Sequence, residues 1–420
     1  MNTEELRKHI TEQAAQARHA SYTLRNVTTV QKNNALAAIA SELRSHAADI
    51  LVENKKDIDI LDTSVSTAFR NRLILTSEKI EAIAKGIDAV ALLDDPIGEI
   101  VHGFERPNGL RIQKVRIPIG VIACIFESRP NVVVDIAALA LKSGNACVLR
   151  GGKEAIYTNT YLADLITSAI LSVGLPEGSV QFIRQTDREV VGIMSRLAEY
   201  IDLIIPRGGE GLIDAVMKDA KMPVLQHRKG ITHMFIDETA KFDDALQIVL
   251  NGKTSNPSAC NSLEHVLIHK NIADSIVPSL IEQLSDAGVE IRGCEQTRTY
   301  SDSVQIATEE DFAGEYLDMI ITLKIVSSFD DAISEILAHS TGLSDGIITQ
   351  SVEHANKFVK LIDSAATYVN ASTRFTDGSE FGFGTEVGIS TSKIHGMGPM
   401  GVADLTVTKY VVYGDGHIRT

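Results

Sequence analysis

A chain of 420 residues, 44% apolar and 23% charged, has a globular composition and exceeds the length that one hydrophobic core supports, so two or three core units are expected. Forty basic against 55 acidic residues leave a formal charge of −15, which, with no concentrated basic patch, disfavours nucleic acid as a partner. The four scattered cysteines form no CxxC pair, no apolar run is long enough for a bilayer, and Met1 to Ala20 lacks a signal-peptide core. A cytoplasmic enzyme with reduced thiols and no metal site is therefore expected.

The first hundred or so residues read as helices. Asn2 and Glu5 have capping-box spacing, and Leu6, Ile10 and Ala14 then recur at helical intervals. Further helices are expected from about Val30 to Leu51 and from about Thr76 to Leu92. Between Glu99 and Ile117 the pattern becomes shorter and partly alternating, with Pro107-Asn108-Gly109 as the turn of a β-hairpin.

From Gly120 onward, short apolar runs alternate with helical patterns. Gly120–Phe126, Cys147–Leu149, Gln181–Ile183 and Ile201–Ile205 read as strands, with helices over Val132–Leu141, Ala155–Val173 and Glu189–Leu197. A second series begins near Ile231–Ile236. It continues with strands at His265–Ile268, Gly346–Thr349 and Ala366–Val369, and with helices near Asp244–Leu250, Ile272–Leu284 and Asp330–His339. Such alternation implies βαβ crossovers and parallel sheets covered on both faces, so the fold class is α/β, with two doubly wound domains. The tail Leu405–Tyr413 alternates like an exposed strand needing a partner, either the hairpin or another subunit.

Among the cysteines, Cys124 and Cys147 lie inside apolar strand runs and read as small core residues, and Cys294 reads as an exposed thiol. Cys260 differs. It stands in the polar, turn-rich stretch Asn256-Pro-Ser-Ala-Cys-Asn-Ser262, where small neighbours leave access and backbone amides can stabilise a thiolate. Taken alone, this stretch leaves a nucleophile and an ordinary loop cysteine equally open. Ile205-Pro-Arg-Gly208-Gly209-Glu-Gly211 leaves a strand and enters a helix, a turn that admits a pyrophosphate but also occurs as a simple tight turn.

The stretch Ile117 to Asn131, the Gly144-Asn145 turn and the strand ending at Arg150 resemble the aldehyde dehydrogenase superfamily, with Cys260 at its catalytic cysteine. Arg129-Pro-Asn, Asn370-Ala-Ser-Thr-Arg-Phe375 and Gly382 through His395 narrow the resemblance to the branch that reduces glutamyl phosphate, and it spans nearly the whole chain.

That resemblance implies NADPH-dependent reduction of L-glutamate 5-phosphate to L-glutamate 5-semialdehyde through a thioester on Cys260, in proline biosynthesis. Asn131 and the Cys260 amide would hold the oxyanion, although Asn131 also suits the cap of the following helix. Gly208 and Gly209 would face the cofactor phosphates, Arg150 and Lys153 the adenosine ribose and its 2′-phosphate, and Glu315 the nicotinamide ribose. Arg374 is expected to bind the substrate carboxylate, with Lys393 and His395 beside it. The stretch Val224 to Gly230 lacks the carboxylate with which hydrolytic relatives activate water, and carries His227, Arg228 and Lys229 instead. Leu343 stands before Ser344-Asp345 where many relatives have histidine.

The implied organisation is a cofactor domain over 1–104 and 119–235, rejoined by part of 372–402. A catalytic domain follows over 236–371, and 105–118 with 403–420 form a β element for homo-oligomerisation. The preceding glutamate 5-kinase is the implied protein partner.

Overall fold

The protein is described from a computed structural model covering residues 2–62, 65, 67–226 and 229–419. The chain divides into one unit of Met1–Gln226, Gly382–Gly388 and Met400–Thr420 and a second of His227–Phe381 and Ile389–Pro399. The strand His233–Ile236 lies whole in the second unit, so the division falls before it and not at 235/236.

In the first unit, helix Thr3–Leu24 opens with the anticipated capping box, the Asn2 side chain accepting from the Glu5 amide at 2.9 Å and the Glu5 side chain returning the bond at 3.0 Å. The helix expected from 30 to 51 is instead two, Thr29–Ser45 and Ala47–Asp59, because His46 leaves helical geometry at φ −106°, ψ 19°. That break lets Leu43 before it and Ile50 after it reach the same core. Helix Thr67–Leu73, which was not expected, precedes Ser77–Leu92, capped by Thr76.

These helices share one core with a parallel sheet of four strands, in the order Val180–Phe182, Ala146–Arg150, Val121–Phe126, Leu203–Arg207. The chain steps outward through the first three from Val121–Phe126 and then returns to its other side. The carboxyl ends of Val121–Phe126 and Leu203–Arg207 therefore flank a topological switch point, where doubly wound folds bind ligands. Gly144 adopts φ 74°, and Asn145 locks the turn by accepting from the Gly120 amide at 2.7 Å and donating to the Leu405 carbonyl at 2.8 Å. Cys124 and Cys147 are buried in this sheet, and burial pushes the Cys124 thiol up to about 12.

A separate three-stranded sheet joins Ile100–Glu105, Arg111–Pro118 and Thr406–Tyr413, all antiparallel. The tail strand thus pairs with the hairpin of its own chain, Thr406 opposite Pro118 through Tyr413 opposite Arg111. The sheet exposes Ile100, Phe104, Tyr410, Val412 and Tyr413.

The second unit is built on seven parallel strands, ordered Gln305–Ile306, Glu290–Gly293, Ile320–Val326, His265–His269, His233–Ile236, Ser344–Ile348, Ala366–Val369. Alternate side chains go to opposite faces. Met234, Ile236, Val266 and Ile268 pack with helices Phe242–Thr254 and Lys270–Asp286, whereas Phe235 and Leu267 pack with Phe329–His339 and Phe358. The first three strands in that order were not anticipated; Glu290–Gly293 and Gln305–Ile306 are short and half polar and carry no apolar run. Among the described residues, no helix is long and apolar enough to cross a membrane.

Candidate active site

Each crossover helix returns the chain to the amino edge of the seven-stranded sheet, and the loops there carry Gly230, Cys260, Glu315 and Leu343. Hydrogen bonds tie those loops together. Thr341 Oγ1 donates to the Lys229 carbonyl at 2.7 Å and accepts from the Ile231 amide at 3.1 Å, and Thr232 Oγ1 donates to the Ser262 carbonyl at 2.5 Å. Gly230 is wedged against the nucleophile loop: a Cβ there would come within 2.1 Å of the Cys260 carbonyl oxygen and 2.9 Å of Glu315 Oε1. Cys260 itself is a partly exposed thiol.

The loop that carries Cys260 is stapled at both ends. Lys253, at the end of its helix, donates at 2.8 Å to Glu264, at the start of the next strand, and both are fully buried. Burial pushes Glu264 up to about 7 and lowers Lys253, each against the pull of the other. His265, held neutral by burial beside His233, donates Nε2–H to the Gly314 carbonyl at 2.9 Å and so anchors the loop of Glu315. His233 in turn bonds Asp345 at 2.8 Å, and Ser340 and Ser364 donate to the same carboxylate. Leu343 is wholly buried beside this network, and nearby His339 pairs with Glu335.

Arg374 sits on the turn Thr373–Phe375, which is fastened to the residue after the nucleophile. Asn261 Nδ2 donates to the Thr376 carbonyl at 2.8 Å and to the Arg374 carbonyl at 3.3 Å, while Thr373 Oγ1 donates to the Asn261 carbonyl at 2.8 Å. The guanidinium donates through Nε to Ser255 at 3.1 Å, and its Nη1 is buried without a hydrogen-bond partner. Burial lowers its pKa, opposed by Asp377, Cys260 and Glu380. It lines a cleft of about 270 Å³. Lys393 and His395 are not brought to that cleft; they lie on an exposed loop, Lys393 paired with Asp363. Of the basic triplet, His227 and Arg228 lie outside the described residues.

In the first unit, helix Asn131–Lys142 is entered through Pro130, so Asn131 is its first residue and not its cap. Its Nδ2 donates at 2.8 Å to Asp135, one turn on, and Thr385 also bonds that carboxyl. Asp135 thereby fixes the Asn131 amide. Sequence reasoning missed it, although a lone acid in the apolar run Val132 to Leu141 was the available signal.

Burial raises Asp135 from its ordinary 3.8 to about 6, so the folded state binds its proton more tightly. The corresponding stability is present below about pH 4 and lost as pH rises through about 6, at most about 3 kcal/mol because the residue keeps some exposed surface. Asp135→Asn is expected to remove this slope. Urea unfolding at about pH 4.5 and about pH 7.5 should show the wild-type protein losing more stability between the two than the variant. Equal losses would contradict the assignment.

The other switch-point residues stand at the carboxyl ends of the four-stranded sheet. Gly209 caps helix Glu210–Asp219, and its amide donates at 3.0 Å to Glu127, so an anionic oxygen already occupies this helix start. A Cβ on Gly208 would lie 2.4 Å from the same carboxylate. Arg150 is largely buried and donates to the Thr186 carbonyl at 2.8 Å, whereas its Nε has no partner. Lys153 is exposed on the short turn Lys153–Ala155. The orphaned Arg150 Nε fits an anionic dinucleotide, whereas the glycine turn takes one only when the Glu127 carboxylate gives up the Gly209 amide.

The profile of the Aldehyde dehydrogenase family matches residues 3–299. Gamma-glutamyl phosphate reductase of Clostridium perfringens (strain SM101 / Type A) is 48% identical over 404 residues, covering 96% of this chain and 97% of the relative. The protein of that name from Clostridium novyi is 46% identical over 415 residues, covering 99% and 100%. The crystal structure of gamma-glutamyl phosphate reductase from Thermotoga maritima matches with a TM-score of 0.94 at 45% identity, covering 98% of this chain and 100% of that one. An acetylating aldehyde dehydrogenase from Geobacillus thermoglucosidasius, at 18% identity and a TM-score of 0.72 over 99% of this chain and 98% of that one, shares the fold. This chain is an enzyme of the aldehyde dehydrogenase family and belongs with its gamma-glutamyl phosphate reductases.

Proposed function

We propose that the protein reduces L-glutamate 5-phosphate to L-glutamate 5-semialdehyde with NADPH, releasing phosphate through a thioester on Cys260, as a step of proline biosynthesis. The observation that carries this reading is Arg374: a guanidinium with an unspent Nη1, on a turn bonded to the residue after a partly exposed cysteine. It supplies a cation for the substrate carboxylate close to a nucleophile for its acyl carbon.

The Cys260 sulfur attacks the acyl carbon, and the C–O bond to phosphate breaks with its electron pair. NADPH, when bound, supplies a hydride. The resulting thiohemiacetal anion collapses, breaking the C–S bond, releasing the aldehyde and returning the thiolate. Both the acyl transfer and the collapse place negative charge on one oxygen, a charge suited to a backbone N–H such as that of Cys260 or a side-chain amide such as that of Asn131, held by Asp135. No carboxylate stands between Val224 and Gly230 to activate water, which favours phosphate over hydrolysis. A trapping experiment tests the thioester. Protein mixed with the acyl phosphate in the absence of nicotinamide should gain one glutamyl group on the peptide containing Cys260, and an unmodified Cys260 peptide would contradict the mechanism.

In this reading the Gly208-Gly209 turn receives the cofactor pyrophosphate once Glu127 has swung off the Gly209 amide, Glu315 takes a ribose, and Lys153 with Arg150 the 2′-phosphate. Lys153 carries the preference because Arg150 spends Nη2 on a backbone carbonyl. Lys153→Ala is expected to lower kcat/KM for NADPH roughly 10-fold while leaving NADH nearly unchanged. Equal effects on both would remove the assignment. The exposed three-stranded sheet serves homo-oligomer contacts in this account, and a single-chain mass by sedimentation would contradict that. The acyl phosphate comes from the preceding glutamate 5-kinase in the cytoplasm, and no transfer between the two enzymes ahead of bulk mixing would limit that kinase to a supplier.

A further inference from the structure

The cleft lined by Arg374 is not uniformly positive. Asp377 and the exposed Glu380 line it too, with Asn251 and Ser255 as neutral groups, while Ser379 donates its amide and hydroxyl to Asp377 Oδ1. A ligand carrying only negative charge would meet two like charges there. A group whose carboxylate and ammonium sit on one carbon meets both signs, with Ser255 and Arg374 on the anionic side. The head of such a substrate and its acyl carbon are separated by only two methylenes. A head site must therefore adjoin the nucleophile, and the bonds from Asn261 to the Arg374 turn provide that closeness.

We infer that Asp377 and Glu380 bind the α-ammonium of the substrate while Arg374 takes the α-carboxylate, making this cleft the element that selects an amino-acid head with a free amine. The inference rests on the reading of L-glutamate 5-phosphate as substrate. A deaminated analogue leaves both carboxylates without their counter-ion, and an N-acylated one sets a neutral, bulkier amide against them. Both forfeit the attraction of the two carboxylates for the ammonium, so the cleft selects by charge as well as by shape.

The test runs the reaction toward the acyl phosphate, with NADP and inorganic phosphate, on L-glutamate 5-semialdehyde and on 5-oxopentanoate, which keeps the carboxylate and lacks the amine. The wild-type enzyme should favour the first by roughly 100-fold or more in kcat/KM, and Asp377→Asn and Glu380→Gln should each cut that preference roughly 10-fold, through KM for the amine-bearing substrate. Turnover of 5-oxopentanoate should change little, which also reports that the variants are folded. Unchanged preference in both variants overturns the inference, as does an equal loss on both substrates in the Glu380→Gln enzyme, whose altered side chain is exposed. Either result leaves the proposed function standing. Failure of the wild-type enzyme to turn over L-glutamate 5-semialdehyde with phosphate would instead remove the functional reading and the inference with it.

Discussion

Cys260→Ala is expected to lower kcat by roughly 10⁴-fold or more, because it deletes the atom on which the covalent intermediate forms and not merely a contact. Cys260→Ser should rescue little, since a hydroxyl forms its anion far less readily than a thiol and is the weaker nucleophile. The loss is specific to chemistry: titration of NADPH fluorescence should give the same affinity in both variants, and their thermal unfolding should match wild type. Initial rates of NADPH oxidation with freshly made acyl phosphate provide the readout. A variant retaining a tenth of the wild-type rate would exclude Cys260 as the nucleophile.

The second large effect concerns stability. Lys253→Met leaves Glu264 buried without its cation, which is expected to cost about 3–5 kcal/mol. The double variant Lys253→Met with Glu264→Leu removes both charges and should recover most of that loss, because an apolar pair of similar size needs no desolvation. The sign of the pH dependence follows from Glu264. Its folded-state value, about 7, is above its ordinary value, so the stability linked to its proton is present below about pH 4.5 and lost as pH rises through about 7. Removing Lys253 raises that value further, so the single variant should fall behind wild type more at about pH 8 than at about pH 6. Because the pair closes the two ends of the Cys260 loop, the single variant should also lose activity below its unfolding temperature. Urea unfolding of the three proteins checks this; a double variant no more stable than the single one would refute it.

Local signals in the chain sufficed wherever neighbours in sequence decide the outcome. Asn2 with Glu5, the Pro107-Asn108-Gly109 turn, and the alternation of apolar strands with helices from Val121 to Val369 all correspond to elements found. They failed where packing decides. Nothing in Ser45-His46-Ala47 announces a helix break, which exists because two helices must reach one core. The half-polar strand Glu290–Gly293 is held by its neighbours in the sheet and not by its own hydrophobicity.

The site divides in the same way. Cys260 was visible as a thiol in a polar turn, and Arg374 through family resemblance. Lys253 and Glu264 belong to different elements, so their pairing across the nucleophile loop has no sequence spacing to betray it. Arg150 shows the opposite case: its place at a strand end was legible, but the turn of its guanidinium toward the Thr186 carbonyl is set by tertiary contacts.

The most direct test of the central claim runs the reaction backward. Wild-type protein would be mixed with L-glutamate 5-semialdehyde and NADP, with and without inorganic phosphate, while absorbance of the reduced nicotinamide is followed. The account predicts reduction that requires phosphate and disappears in Cys260→Ala. Reduction at the same rate without phosphate would show that water resolves the thioester, and would contradict the acyl-phosphate mechanism proposed for this enzyme.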